Sequence, residues 1–183
     1  MRIISGQFRG KKLVAASEDV TRPTSDRAKE GLFNILESYL YKTEKKWQDL
    51  EFVDVFAGSG AIGIEACSRG AKNAIFFENN RDALRFLMQN IKSVGLKHIE
   101  IQQNALYPPQ RQKAVDIYFS DAPYQQGLTE KALNVFYQNG WIDENTIIIL
   151  ETDVKEELIL QSDFITERRL SYGRNQFYIV KKK

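Results

Sequence analysis

The chain has 183 residues, 43% of them apolar and 27% charged, and a net charge of +2. That balance suits one soluble globular domain with a sizeable core, and no apolar run approaches the roughly 20 residues a membrane helix needs. Cys67 is the one cysteine, which excludes an internal disulfide and points to a reducing, cytoplasmic setting.

The N-terminus, MRIISGQFRGKK, has no apolar core or cleavage site of a secretion signal. Residues 1–12 carry Arg2, Arg9, Lys11 and Lys12, and all 24 carboxylates fall between Glu18 and Glu167. Residues 168–183 are again basic without an acid. Phe8, Tyr172, Phe177 and Tyr178 interleave these cations, so the ends are read as ordered, β-like structure able to meet a polyanion. We expect a basic arm over 1–23 and a catalytic core over 24–183.

After the arm, TRPTSDRAKEGLFNILESYL opens with a proline turn, and Ser25 or Asp26 caps a helix. Apolar residues at 28, 32, 35, 36, 39 and 40 supply its buried face. EFVDVF is strand-like, AIGIEACSR helical with Gly70 at its end, and NAIFFE a second strand. The helix NRDALRFLMQNIKSV closes at Gly95. HIEIQQ and VDIYFSD are the third and fourth strands, TEKALNVFYQN a helix and TIIIL the fifth strand. A short helix is expected near 154–160. Two further strands, FITERRLSYG and QFYIVKK, join at Gly173–Asn175.

Short apolar strands alternating with helices predict βαβ units and a doubly wound, mostly parallel, seven-stranded Rossmann-like sheet. The last hairpin breaks the alternation, so it adds antiparallel strands at one edge. Ligands of such sheets collect at the carboxyl ends of the strands. The loops after Phe56, Phe77, Gln103 and Phe119 therefore line one crevice.

Two of those loops carry chemistry. DVFAGSGAIG sets Gly58, Gly60 and Gly63 between a strand and a helix, and Glu78 ends the next strand, placed to bridge ribose hydroxyls. Alone this pattern reads as a dinucleotide site. Asp54 argues otherwise, because a carboxylate beside a pyrophosphate is repulsive, whereas a ligand carrying a sulfonium and an ammonium is favoured. The second loop, SDAPYQQGL, ends the fourth strand in a carboxylate, a proline and an aromatic ring, an order that a hydrophobic core does not require.

D-x-F-x-G-x-G resembles the first motif of the S-adenosylmethionine-dependent methyltransferases. That resemblance implies S-adenosylmethionine as cofactor, held by Asp54, Phe56, Gly58, Gly60, Glu78, Asn79, Asn104 and Asp121, with the glycines admitting the ligand to the backbone. Asn104 would meet the adenine edge, although asparagine is also a common turn residue. Asp121-Ala122-Pro123-Tyr124 is similar to the Asp/Asn-Pro-Pro-Tyr/Phe sequence of the amino-methyltransferases, with alanine in its second place. Asp121 and a main-chain carbonyl beside Pro123 would draw the amine's N–H bonds out of the ring plane and localise its lone pair. Tyr124 would stack on the base. Ala122 keeps the carbonyl, and Pro123 biases it to extended geometry, with some rigidity lost.

TRPTSDRAKEGLFN resembles the N-terminal signature of the bacterial 16S ribosomal RNA guanine-N2 methyltransferases, through Thr-Arg-Pro-Thr, Lys29-Glu30 and Leu32-Phe33-Asn34. The resemblance covers nearly the whole chain and implies one methyl added to a guanine amine of small-subunit RNA. Arg2, Arg9, Lys11, Lys12, Arg22 and Arg27 would then hold RNA phosphates. Arg22 and Arg27 are equally compatible with the cofactor's carboxylate or with solvated positions at a helix start. The alternatives are a DNA adenine-N6 or cytosine-N4 methyltransferase, a nicotinamide-dependent oxidoreductase and a non-catalytic RNA-binding module. His98 and Cys67 are read as structural and Trp47 and Trp141 as loop packing. No His/Cys cluster has metal spacing, and a monomer suffices.

Overall fold

The computed structural model of the protein describes residues 1–15, 25–123 and 127–183. Among the described residues, eleven α-helices and β-strands follow in chain order. They are α1 (Asp26–Thr43), β1 (Glu51–Val55), α2 (Ala61–Ser68), β2 (Asn73–Phe77), α3 (Arg81–Val94), β3 (Ile99–Gln102), β4 (Ile117–Ser120), α4 (Leu128–Gln138), β5 (Ile147–Asp153), β6 (Phe164–Tyr172) and β7 (Asn175–Lys182).

The strands form one seven-stranded sheet in the order β3-β2-β1-β4-β5-β7-β6. β1 to β5 are parallel, and β7 pairs antiparallel with both β5 and β6. The expected architecture is therefore present. Its order reverses between β1 and β4, where the chain stops adding strands on one side and starts on the other. A doubly wound sheet opens its crevice at such a reversal.

Alternation of side chains along the strands divides the core. Phe52, Ile117, Phe119, Ile147, Ile149 and Phe177 face α1 through Leu32, Phe33 and Leu36. On the same side, Ala74 and Phe76 meet α3 through Leu87, Ile91 and Val94. The opposite face, with Val53, Val55, Phe77, Tyr118 and Leu150, is covered by Leu133 and Phe136 of α4 and by Trp141. Phe77, Phe136 and Trp141 meet edge to face at 4.8–5.3 Å, an arrangement aromatic rings favour.

Helix ends follow the sequence. Ser25 caps α1 by accepting from Ala28 N–H, Asn80 caps α3 by accepting from Asp82 and Ala83, and left-handed Gly95 closes α3. The stretch 154–160 forms no helix. The Asp153 carboxylate instead accepts from Lys155 N–H, and Val154 N–H donates to the Arg174 carbonyl, 2.9 Å away. Those bonds commit the backbone to a turn against the β6–β7 hairpin, which overrides the local helical pattern.

The basic arm is described over 1–15. Arg2 and Lys12 form an antiparallel bridge, closing a short loop that lies on α2 and α3. Glu65 of α2, fully buried, accepts from Ile4 N–H and Ser5 N–H at 2.8 and 2.9 Å. Gln7 N–H donates to the Ser68 carbonyl and Phe8 N–H to the Ser68 hydroxyl. Lys29 of α1, also fully buried, donates to the Arg2 carbonyl and stands 3.7 Å from Glu65. Every residue of α2 is buried because the sheet covers one side and the arm the other. No helix among the described residues is long and apolar enough to cross a membrane.

Candidate active site

Three loops meet at the carboxyl edge of the sheet. The parallel registers Val55↔Phe77 and Val55↔Ser120 bring the ends of β2 and β4 to either side of β1. Asp121 N–H donates to the Val55 carbonyl at 3.3 Å, which carries the pairing one residue past β4. Asp121 thus stands beside Phe56, at the mouth of the glycine turn.

That turn departs from extended geometry at once. Phe56 has φ 64°, a left-handed conformation that a bulky residue adopts only where surrounding structure enforces it, at a cost of about 1–3 kcal/mol. Ala57 N–H donates to the Phe77 carbonyl, and Gly58 N–H to the Glu78 carboxylate at 2.7 Å. The other carboxylate oxygen of Glu78 accepts from Asn80 N–H at 2.8 Å. Both oxygens keep a second lone pair.

Gly58 and Gly60 serve different ends. A Cβ on Gly58 would have nothing within 4 Å, so this backbone faces open space. A Cβ on Gly60 would lie 2.3 Å from Leu87 Cδ1, so that glycine is required for the turn to sit on α3, and it faces the core instead of the crevice.

Asp54 is 2% exposed and accepts from Gly63 N–H at 2.8 Å, clamping the first turn of α2. Burial pushes its carboxyl up to about 7, against the lowering effect of the Gly63 bond, and the charges of Asp121 and Glu78 raise it further. Carboxylates from β1, β2 and the loop after β4 therefore feel one another across a single site.

Beside the turn, Phe56, Phe77, Glu78, Asn79, Asn104, Ala105, Leu106 and Leu128 line a cavity of about 140 Å³. Its walls combine apolar side chains with the polar groups of Glu78, Asn79 and Asn104, the mixture from which small-molecule sites are built. The Asn104 oxygen accepts from Leu106 N–H at 2.9 Å, so Asn104 shapes its own turn while lining the cavity.

Ala122 is buried and Pro123 exposed. Tyr124 and Arg22 lie outside the described residues. Of the remaining cations proposed from the sequence, Arg2 pairs with Asp26 at 3.0 Å and the Lys11 ammonium donates to the Ser93 carbonyl. Arg9, Lys12 and Arg27 project as exposed side chains. The pairing Ile148↔Val180 places Lys181–Lys183 near the amino end of β5, away from the crevice, whereas Asn175↔Asp153 places the Gly173–Arg174 turn at its carboxyl end. Cys67 is buried, its thiol pushed up to about 12 by that burial. His98 is exposed, and the Trp141 indole donates to the Pro109 carbonyl from a buried position. Among the described residues no group of His, Cys, Asp or Glu is placed to hold a metal ion.

Sequence reasoning missed Lys29, Glu65 and Asn90, three buried polar residues that seat the arm. The available signal was phase: Asn90 lies three residues after Leu87 on the apolar stripe of α3, where a polar side chain needs a partner.

A sheet of this order, with a glycine turn after β1 and an Asp-x-Pro turn after β4, defines a Rossmann-like methyltransferase fold. Comparison with known proteins narrows the class. The family model described as "Conserved hypothetical protein 95" matches residues 1–181, and the chain belongs to that family. The ribosomal RNA small subunit methyltransferase D of Haemophilus influenzae is 36% identical over 179 residues, covering 94% of this chain and 89% of the relative. The protein of the same name from Escherichia coli is 35% identical over 160 residues, covering 86% and 77%. A solved Escherichia coli structure aligns with a TM-score of 0.83 at 30% identity, over 100% of this chain and 98% of that one.

Proposed function

We propose that the protein transfers a methyl group from S-adenosylmethionine to the exocyclic N2 amine of a guanine in 16S ribosomal RNA. Relatives that carry the name ribosomal RNA small subunit methyltransferase D support the substrate class. The observation that carries the chemistry is geometric: Asp54 holds Gly63 N–H, Glu78 holds Gly58 N–H and Asp121 is paired through its own N–H to Val55, so acidic residues set the field at one glycine turn. Such a field favours a ligand bearing a sulfonium and an ammonium and disfavours a pyrophosphate. A cytoplasmic location goes with this reading.

The residues present fit that cofactor. The open space above Gly58 admits a ligand against the backbone, and the cavity beside it offers apolar side chains to the faces of an adenine ring and polar ones to its edge. Glu78, oriented by Gly58 and Asn80, has lone pairs left for ribose hydroxyls, and Asn79 and Asn104 stand at the cavity for the base edge. When bound, S-adenosylmethionine supplies a methyl activated by the sulfonium. Asp121 and the Ala122 carbonyl accept the amine's N–H bonds and localise its lone pair. The localised pair would then be aimed at that methyl, and Asp121 would take the amine's proton and pass it to solvent. Attack is governed by position and electrostatics. Tyr124 is assigned to stacking on the base, and Arg9, Lys12, Arg22 and Arg27, with Arg2 and Lys11 of the arm, to the phosphates.

A labelled-methyl assay that offers free 16S RNA, small subunits and DNA side by side tests this reading. Label is expected in RNA, as N2-methylguanine on nucleoside digestion. Label in DNA alone, or on another RNA base, overturns it.

A further inference from the structure

Asn90 sits inside α3, 1% exposed, one turn beyond the Leu87 that supports Gly60. Its carboxamide has no spare hydrogen. One Nδ2 hydrogen goes to the Val14 carbonyl at 2.8 Å and the other to the Ser59 carbonyl at 2.9 Å, while Oδ1 accepts from Val14 N–H at 2.8 Å. The orientation is dictated by this network, because a flipped amide would set its oxygen against two carbonyl oxygens. Ser59 lies inside the glycine turn, between Gly58 and Gly60. Val14 belongs to the basic arm, two residues after Lys12.

We infer that Asn90 is a positioning residue that ties the glycine turn at Ser59 to the basic arm at Val14, so that filling the cofactor site strengthens the hold on RNA. The inference rests on the proposed function for the identity of the two ligands. Its mechanism is local. Asn90 itself is buried, so a shift of either carbonyl leaves the shared amide short of a partner. A ligand that immobilises Ser59 therefore also fixes the register of Val14, and with it the loop bearing Arg9 and Lys12, which Arg2 and Lys12 close. Coupling of this kind is reciprocal: RNA on the arm must tighten cofactor binding by the same factor.

The test measures RNA affinity by fluorescence anisotropy on the full chain, with and without saturating S-adenosylhomocysteine, after calorimetry has shown that this probe binds. Wild type is expected to bind 16S RNA about five-fold tighter or more with the probe present, the lower end of typical allosteric coupling. Asn90→Ala, which removes all three bonds, and Asn90→Asp, which keeps the acceptor for Val14 N–H but turns an oxygen toward both carbonyls, are each expected to bring that ratio near one. A variant that retains the wild-type ratio overturns the inference and leaves the proposed function standing. Failure of the probe to bind wild type overturns both. Hydrogen exchange on wild type removes dependence on variant folding: the Val14 amide should exchange more slowly with the probe bound, and an unchanged rate also overturns the coupling.

Discussion

The backbone N–H of Asp121 donates to the carbonyl of Val55 at 3.3 Å, and this one bond sets the Asp-Ala-Pro turn beside the left-handed Phe56. Asp121 is held by sheet pairing, a rigid support, although it lies outside the strand. Replacing its side chain leaves that main-chain bond intact. Asp121→Ala is therefore expected to keep cofactor affinity within a few-fold while lowering turnover about 10²–10³-fold, the scale for loss of one electrostatic stabiliser. Single-turnover methylation alongside calorimetric titration separates the two. Normal turnover would remove Asp121 from the chemistry.

Asp54 supplies a pH dependence of defined sign. Its carboxyl is pushed up to about 7 in the folded protein, whereas in an unfolded chain an aspartate titrates near 4. Between pH 4 and 7 the folded state retains a proton that the unfolded state has lost, so this group's contribution to stability falls as pH rises. Above 7 the penalty is constant. Asp54→Asn keeps an acceptor for Gly63 N–H and does not titrate. The difference in Tm, variant minus wild type, should climb across pH 4–7 and then level. A flat difference would mean that burial does not govern this carboxyl.

The buried pair of Lys29 and Glu65 is asymmetric. Glu65 also accepts from Arg69 Nε at 3.1 Å and from two N–H groups of the arm. Lys29, its ammonium disfavoured by burial, has the Arg2 carbonyl and Glu65. Glu65→Gln should lose about 3–5 kcal/mol in urea unfolding, as expected when a buried charge loses its partner. Lys29→Met should lose distinctly less, since Glu65 keeps Arg69. Equal losses would contradict this asymmetry.

Arg9 and Lys12 project from an arm fixed elsewhere by main-chain bonds, so their removal leaves its seat unchanged. Each alanine variant is expected to weaken RNA binding without regard to sequence and to flatten the plot of log affinity against log salt by about 0.7–1. An unchanged slope would take that cation off the phosphate path.

The sheet was legible because parallel strands are buried on both faces and read as short apolar runs. FVDVF, AIFF, IYF and IIIL each stand as strands between helical periods. That Asp54, Gly58, Glu78 and Asp121 lie near one another could be anticipated because they stand at or just past the carboxyl ends of β1, β2 and β4, which the sheet sets side by side. The seating of the arm was hidden, since neither Glu65 within AIGIEACS nor Lys29 within DRAKEG shows in sequence that another segment covers it. The stretch 154–160 was misread as helix because the competing partner, the Arg174 carbonyl, lies 20 residues away. Periodicity senses neighbours along a helix and is blind to such bonds.

β7 lies between β5 and β6, so the last strand in chain order is an interior one. While the polypeptide is being made, β5 can pair with β4 as soon as both exist, yet its far side stays unpaired until residues 175–182 emerge. A nascent chain halted before that point would present Ile147–Leu150 as an open edge, a template for association with other chains. Sealing that side of β5 therefore waits on β7, which must itself be in place before β6 can join the sheet.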